Sequence, residues 1–533
     1  MPTMEPGAPD PVDPVDLADL FTSDDVRGAV PDPLSPQVAA AVAAAFATVV
    51  VLPESGDDQT PAELDGPVDA DAQATPTDIA ATTATRPRPV VVLGWDVRSS
   101  GPELAAAFSQ GLTSAGVDVL ALGPCSSDEV TYASGVLEVP AVMIAADGEA
   151  AERNGLTLRR AGARLVDSDS GLDRVRELAE QYLTYGMPGP ATQLGQRTER
   201  DVLTDYASFV RDLVDLSAIR PLTVVVDAGH GMAGRTVPAV LQAGDEPDLS
   251  LDLVALFFDH DGSAPLATWD QAGDQSLDTD PDTDPPLAPG LVDLQAAVLA
   301  HGADLGLSFD VDAGRCIVVD ERGALVSPSA IMALIGLREV VREQAEGRPA
   351  TVVHDAVTSA ALPDLMSAAG AQTVRTRVGR SAVSAQMRAH HAVFGGEHSG
   401  GYVFRDFFYA QSGMLAALHV IATLGGQPHP LSALAEVYEP YTSSGEISST
   451  VTDTAAARDR VVDAYVTRRG AGDVTVDELD GLTVSHWDDH PQWWFSLRTT
   501  GSVVRLSVEA ADEDIMVKVR DDVLSLVREE TQP

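Results

Sequence analysis

Short apolar runs of strand length alternate with longer apolar or amphipathic runs of helix length through most of this chain, and that alternation constrains its fold more than any other feature. PVVVLGW (89–95) reads as a continuous apolar strand, LAAAFSQGLTSAG (104–116) as a helix ended by glycine, and VDVLAL (117–122) as the next strand. The unit returns as LTVVVDAG (222–229), as DLQAAVLAHGADLGLSFD (293–310), and as ATVVHDAV (350–357) followed by a helix around TSAALPDLMSAAG (358–370). A strand that is apolar at every position is buried on both faces, which calls for flanking helices and parallel pairing with right-handed crossovers. The C-terminal part differs. There GLTVSHW, WWFSLRT and VVRLSVEA read as antiparallel strands, closed by the helix DEDIMVKVRDDVLSLVREE (512–530).

At about 150 residues per core, 533 residues make three or four domains. The pattern predicts three α/β domains with mixed or parallel sheets, at 1–190, 191–320 and 321–430, and a C-terminal α+β domain at 431–533. Two stretches, 53–88 and 272–289, mix acid, Pro, Thr and small residues without an apolar period, and both read as mobile insertions or linkers, the first as a mobile acidic insertion in the first domain.

The 34 Lys+Arg against 81 Asp+Glu leave a net charge of −47, with arginine strongly preferred among the cations. Such a chain repels phosphate backbones and anionic lipid, so neither nucleic acid nor a membrane surface is an expected partner. A small anion remains possible where a few arginines converge. The longest apolar run, Val38 to Leu52, is shorter than the ~20 residues of a bilayer span and rich in alanine, so it reads as a buried helix. The N-terminal residues lack the basic and apolar regions of a signal peptide, and the widely separated Cys125 and Cys316 fit a structural role in a reducing cytoplasm.

Four segments carry candidate chemistry. Gly229, Gly231 and Gly234 have GxGxxG spacing after a strand, but no clear acidic partner follows about 20 residues on at a strand end, Asp259 coming later, which favours a tight strand-to-helix turn over a dinucleotide site. Asp310 and Asp312 follow an apolar strand at i and i+2, the spacing with which two carboxylates share a hard cation such as Mg²⁺, or merely form a solvated loop tip. Glu397, His398 and Ser399 stand between the glycine pairs 395–396 and 400–401, where backbone and polar groups can approach a ligand closely; the offset of Ser399 excludes a nucleophile elbow. Arg498, Thr500, Gly501, Ser502 and Arg505 cluster on one turn with the donors of a phosphate site, or form a plain hairpin.

Together these segments resemble the α-D-phosphohexomutases, the phosphomannomutases and phosphoglucomutases. The likeness runs from FTSDDVRG (21–28) through GWDVRSS (94–100), NGLTL (154–158), VVVDAGHGMAG, FDVDAGR, GGEHSGGYVFRD and SGMLAALHV to LRTTGS. It implies four domains around a central cleft, to which they contribute in turn a phosphoserine loop, a Mg²⁺ loop, a sugar-specificity loop and a phosphate-binding loop. It also implies a hexose phosphate ligand, with Glu397, His398 and Ser399 at the sugar, Arg315 and Arg380 beside it, the 498–505 group at the non-reacting phosphate, and Arg27 and Arg98 on the cleft wall, with a structural ion pair to Asp96 or another carboxylate of the first domain as the alternative for Arg98.

The chemistry-bearing positions depart from the family pattern. Asp147 stands where the phosphoserine is expected, and Thr157 replaces the lysine that follows Asn-Gly. D-G-D-x-D-R becomes Asp310-Val311-Asp312-Ala313-Gly314-Arg315, with Gly314 at the third ligand position. Arg380 and Ser384 replace a histidine and a lysine, Gln411 an aspartate, and no Glu-Pro follows Ser502. Kept turns with lost reactive groups predict a protein that binds a sugar phosphate, or a partner enzyme, with impaired or absent phosphoryl transfer. Asp147 together with Asp310 and Asp312 could rebuild a three-carboxylate cation site. The alternatives are an active mutase phosphorylated on Asp147 and a non-catalytic nucleotide-binding α/β protein.

Overall fold

The computed structural model describes residues 14–53, 88–146, 151–242, 249–259, 290–467, 474–488 and 490–529. Asp147, the insertion read at 53–88 (all but its first and last residues) and the stretch 272–289 lie outside the described residues.

Four sheets carry the chain, each with its own helices, so the molecule has four domains. The first sheet orders its strands Val26–Ala29, Arg153–Arg160, Ala141–Ile144, Val90–Trp95, Asp118–Pro124 and Arg197–Glu199. The last four of these run parallel, and the pairings of Arg153–Arg160 on either side are antiparallel. The second sheet (Leu325–Val326, Cys316–Asp320, Leu305–Phe309, Leu222–Asp227, Leu251–Leu256) and the third (Gln372–Arg375, Thr351–His354, Phe394–Gly396, Tyr402–Phe404, Ala410–Gln411) repeat the plan, with three parallel strands extended by antiparallel ones. The fourth (Thr442–Thr450, Val503–Ala510, Trp493–Thr500, Leu482–His486, Thr475–Asp477) is antiparallel throughout. The three α/β sheets are thus mixed, within the expectation of mixed or parallel sheets, each a parallel group of strands extended by antiparallel ones.

The Val38–Leu52 run forms a buried helix, Pro36–Phe46, continued by one wider turn over Ala47–Val51. Ser35 caps it by accepting from the Val38 N–H, and proline occupies its first turn, where no intrahelical N–H is lost. Its alanines let the helix Gly101–Ser114 approach so closely that a Cβ on Gly111 would lie 2.5 Å from the Ala40 carbonyl oxygen. That second helix begins three residues before the expected 104, because Pro102 suits a first turn. The helix expected around 358–370 is shorter, Ala361–Ala368, since Thr358 is drawn into a turn by Asp355. The C-terminal helix Glu513–Arg528 buries Met516, Val519, Val523 and Val527 at helical spacing, and Asp512 caps it. Both cysteines are buried and free. Among the described residues no helix is long and apolar enough to cross a membrane.

The second and third domains share one continuous apolar core, whereas the first and fourth have cores of their own. Asp128, on the helix Ser127–Leu137, ties the first domain to that shared body. Its Oδ2 accepts from Tyr206 Oη at 2.9 Å and from Ser412 Oγ. Burial pushes its carboxyl up to about 7, with the charge of Asp310 acting in the same direction against both hydroxyl donors.

Two predictions follow from this packing. Gly→Ala inside a helix normally stabilises by about 1 kcal/mol, but Gly111→Ala meets a backbone carbonyl; equilibrium denaturation should show a loss of about 1–3 kcal/mol. For Asp128, an unfolded carboxyl titrates near ~3.9. Between about 4 and about 7 the native state therefore holds a proton that the unfolded state has released, and stability falls as pH rises across that window, by up to about 1.4 kcal/mol per pH unit. Melting temperatures of the native chain should decline from pH ~5 to ~7.5, and the decline should be shallower in Asp128→Asn.

Candidate functional site

The loop after the strand Leu305–Phe309 is set by its own side chains. Asp310 accepts from the Arg315 backbone N–H at 3.0 Å and from Arg315 Nε at 2.9 Å, a pair that is almost wholly buried. Ala313 takes a left-handed conformation, φ 60°, and Asp312 Oδ1 accepts from the Gly314 N–H at 3.2 Å. Neighbouring domains then close on the loop. Ser127 donates its N–H to the Asp312 carbonyl at 3.0 Å and its hydroxyl to Asp312 Oδ2, and Gln411 Nε2 donates to the Gly314 carbonyl at 2.9 Å.

The 229–234 glycines build the adjoining wall. Gly229 has φ 53°, the Met232 N–H donates to the Val311 carbonyl at 2.8 Å, and a Cβ on Gly231 would lie 2.5 Å from that same oxygen. This turn packs onto the Asp310–Arg315 loop, which is the tight-turn reading of its GxGxxG spacing.

A Mg²⁺ ion needs several oxygen ligands in near-octahedral array. The residues present do not fit one. Asp310 is bonded to Arg315 and Asp312 to Ser127 and Gly314, while Gly314 supplies no side-chain oxygen. Among the described residues no group of three or more His, Cys, Asp or Glu could hold a metal ion. The rebuilt site involving Asp147 falls outside the described residues.

The glycine-bounded loop divides its polar side chains between two directions. Glu397 is buried and accepts from the Gly379 N–H at 2.7 Å; a Cβ on Gly401 would lie 3.1 Å from Glu397 Oε2 and 2.8 Å from Gln411 Oε1. Burial and then the charge of Asp355 push its carboxyl up to about 7, against the Gly379 N–H. His398 turns the other way. Its Nδ1 lies 2.8 Å from Ser329 Oγ, and its ring lines a cavity of about 300 Å³ with Ser359, Tyr441, Trp494 and Glu509, between the third and fourth domains. Ser399 is half-buried at the tip. The expected trio at one sugar is thus split, because consecutive residues of a turn point apart.

Asp312, Gly314, Arg380, Ser384, Arg159 and Gln411 line a second, smaller cavity where the first three domains meet. Arg380 Nη2 donates to Asp25 Oδ2 at 3.0 Å and to Thr157 Oγ1 at 3.1 Å, so it bridges to the first domain. Arg27 pairs with the same Asp25 through Nε at 2.8 Å. Arg98 is not a cleft-wall residue. Buried with Asp96, it donates to the carbonyls of Ala146 at 2.7 Å and Arg153 at 3.0 Å, bracing the chain on both sides of the segment that contains Asp147.

The 498–505 segment is a hairpin with Arg498 directly opposite Arg505 and Thr500, Gly501 and Ser502 exposed at its turn. Its cations already have acids. Arg498 bonds to the buried Glu446 and lies 4.0 Å from Asp480, and Arg505 Nε lies 3.9 Å from Glu446. Sequence reading missed Asp24, Asp25, Glu446 and Asp480, since in so acidic a chain another acid has no contrast. For Asp25, Glu446 and Asp480 the one available signal was the arginine each faces, whereas Asp24 faces Ser381.

Three family descriptions match along the chain: phosphoglucomutase/phosphomannomutase alpha/beta/alpha domain I at residues 72–182, domain II at 204–323 and domain III at 327–441. A protein of Xanthomonas campestris pv. campestris named "Phosphohexose mutases" is 30% identical over 512 residues, covering 95% of this chain and 98% of its own. The phosphomannomutase of Escherichia coli K12 is 30% identical over 438 residues, covering 81% and 90%. Among solved structures, a phosphoglucomutase/phosphomannomutase family protein from Burkholderia thailandensis superposes with TM-score 0.72 at 23% identity, covering 96% of this chain and 98% of that one. The Paramecium phosphoglucomutase parafusin superposes with TM-score 0.67 at 14% identity, covering 95% and 94%. Sequence kinship over nearly the full length, with the same four-domain fold, places this chain in the α-D-phosphohexomutase family.

Proposed function

We propose that this chain binds a hexose phosphate in the cleft between its domains with phosphoryl transfer impaired or lost, and that it works in the cytoplasm as a sugar-phosphate binder or as the regulator of a partner enzyme. One observation carries the reading: an aspartate, Asp147, stands where the family has the phosphoserine that gives and receives the phosphoryl group. A carboxylate offers a fixed negative charge there, with less charge and fewer oxygens than a phosphoserine.

The surrounding geometry supports the same reading. Asp310 and Asp312 are tied to Arg315, Ser127 and Gly314, which leaves no complete donor set for Mg²⁺ among the described residues. Arg380, at a position where the family has histidine, is engaged with Asp25. Losing a nucleophile, an electrostatic stabiliser or an acid–base group costs roughly 10²- to 10⁴-fold each, and here the losses coincide. Binding needs less. Glu397 near neutrality can accept from or donate to a sugar hydroxyl, and Arg498 and Arg505 can hold a phosphate if it displaces Glu446.

The purified chain, given mannose 1-phosphate or glucose 1-phosphate with Mg²⁺ and catalytic hexose bisphosphate, should show no turnover beyond that of an Asp147→Ala control. Turnover that the substitution abolishes would overturn the reading. Glucose 1-phosphate should nonetheless raise the melting temperature, and Arg498→Ala should weaken its binding about 10- to 100-fold, the worth of a charged hydrogen bond. If no hexose phosphate shifts the melting temperature, the binding role fails.

A further inference from the structure

Two departures from the family pattern lie against each other. The pattern has an aspartate at 314, as the third carboxylate of the Asp310–Arg315 loop, and another at 411; this chain has Gly314 and Gln411. Gln411 Nε2 donates to the Gly314 carbonyl at 2.9 Å, and a Cβ on Gly314 would lie 3.5 Å from that nitrogen and 3.3 Å from Asp312 Oδ1. A side chain at 314 would therefore start between Asp312 and the Gln411 amide, where a third carboxylate could share an ion with Asp312. On its other side the amide meets the glycine-bounded loop, since a Cβ on Gly401 would lie 2.8 Å from Gln411 Oε1. Two glycines, one in each domain, leave the room that the carboxamide fills.

The backbone fixes the target of this side chain. Gln411 ends the short strand Ala410–Gln411, where it stands opposite Val403 of the strand Tyr402–Phe404. Ser412 then donates its hydroxyl to Asp128 of the first domain and accepts from the Leu415 N–H at 3.1 Å, so that it caps the helix Gly413–Gly425. Gly413 lies so near the loop that a Cβ would be 2.7 Å from the Arg315 carbonyl. Residues 411–413 are thus held at consecutive positions, with the amide delivered to Gly314. The charge balance is kept as well. A divalent ion carries two positive charges and two aspartates carry two negative ones, so the loss of all three leaves the sum unchanged. The acids that remain have partners other than a metal: Asp310 has the Arg315 guanidinium, and Asp312 has the Ser127 hydroxyl and the Gly314 N–H.

We propose that Gln411 does at this loop the positioning work of a divalent cation: its amide ties the Asp310–Arg315 loop of the second domain to the glycine-bounded loop of the third, and the loop holds its shape with neutral hydrogen bonds and one internal ion pair, without a metal. Gln411 is a positioning residue, acting through the Gly314 carbonyl. Gly314 is its necessary partner, because a side chain there would enter the space beside the amide. The tie is a property of the chain itself and stands whether or not the ligand is a hexose phosphate.

Gln411→Glu keeps the shape of the side chain and exchanges the amide donor for a carboxylate. At pH ~8 the new carboxyl is ionised, since burial lifts the neighbouring Glu397 only to about 7. In chelator the full-length variant should melt about 2–4 °C below the native chain, and about 10 mM Mg²⁺ should close that gap by binding the carboxylate in place of the lost donor. An acidic surface gathers divalent ions unspecifically, so the variant is read against the native chain at one ionic strength. No gap in chelator, or a gap that Mg²⁺ leaves unchanged, overturns the proposal, as does a Mg²⁺ site found by calorimetry in the native chain and lost in Asp312→Asn. Should Gln411→Glu fail to fold by circular dichroism, Gln411→Met decides, because it removes the donor at nearly equal volume. It should lower the melting temperature by a similar amount that Mg²⁺ does not restore; an unchanged melting temperature, or one restored by Mg²⁺, rejects the tie. No sugar phosphate enters these measurements, so their outcome is separate from that of the binding reading.

Discussion

Three of the four domains meet on one short loop, and the buried Asp310–Arg315 pair gives that loop its shape. With the carboxylate satisfied inside the loop, its backbone is free to receive neighbours: Ser127 from the first domain, the glycine turn at 229–232 from the second, and Gln411 from the third. The third domain approaches so closely that a Cβ on Gly413 would lie 2.7 Å from the Arg315 carbonyl. A buried ion pair is a weak source of stability but a strong source of geometry, since breaking it strands a charge. Here that geometry decides where three domains dock.

The same economy runs through the rest of the cleft. With 34 cations against 81 anions, arginines at the candidate site meet carboxylates of the chain itself: Arg315 with Asp310, Arg380 with Asp25, and Arg498 with Glu446. Under the proposed hexose phosphate binding, an incoming phosphate would have to compete with these acids, which would lower its affinity and couple binding to rearrangement. The altered position Arg380 fits this arrangement, since its guanidinium donates to Asp25 of the first domain, and Asp312 likewise accepts from Ser127 of that domain.

The C-terminal strands and helix show how the fourth domain is built to attach by polar contacts. Its helix buries one stripe against its own sheet, leaving a surface that meets the third domain through Arg375, Asp477, Asp480 and Glu509. Glu509 is itself held by Trp494 Nε1 at 2.7 Å and by the Ala360 N–H at 2.9 Å. The cavity beside His398 opens along this seam, between two separate apolar cores.

Local patterns were enough to place the apolar strands, the alanine-rich buried helix, the C-terminal amphipathic helix and the hairpin at 498–505, since each depends on periodicity or turn chemistry within a few residues. They were also enough for the family, because the turns that carry the resemblance are contiguous in sequence. The edges of the sheets, the split between Glu397 and His398, the bracing role of Arg98 and the acids opposite Arg380 and Arg498 were decided only in three dimensions. Each depends on which distant segment supplies the facing group, and in a chain with 81 carboxylates the choice among them is made by packing rather than by any local signal.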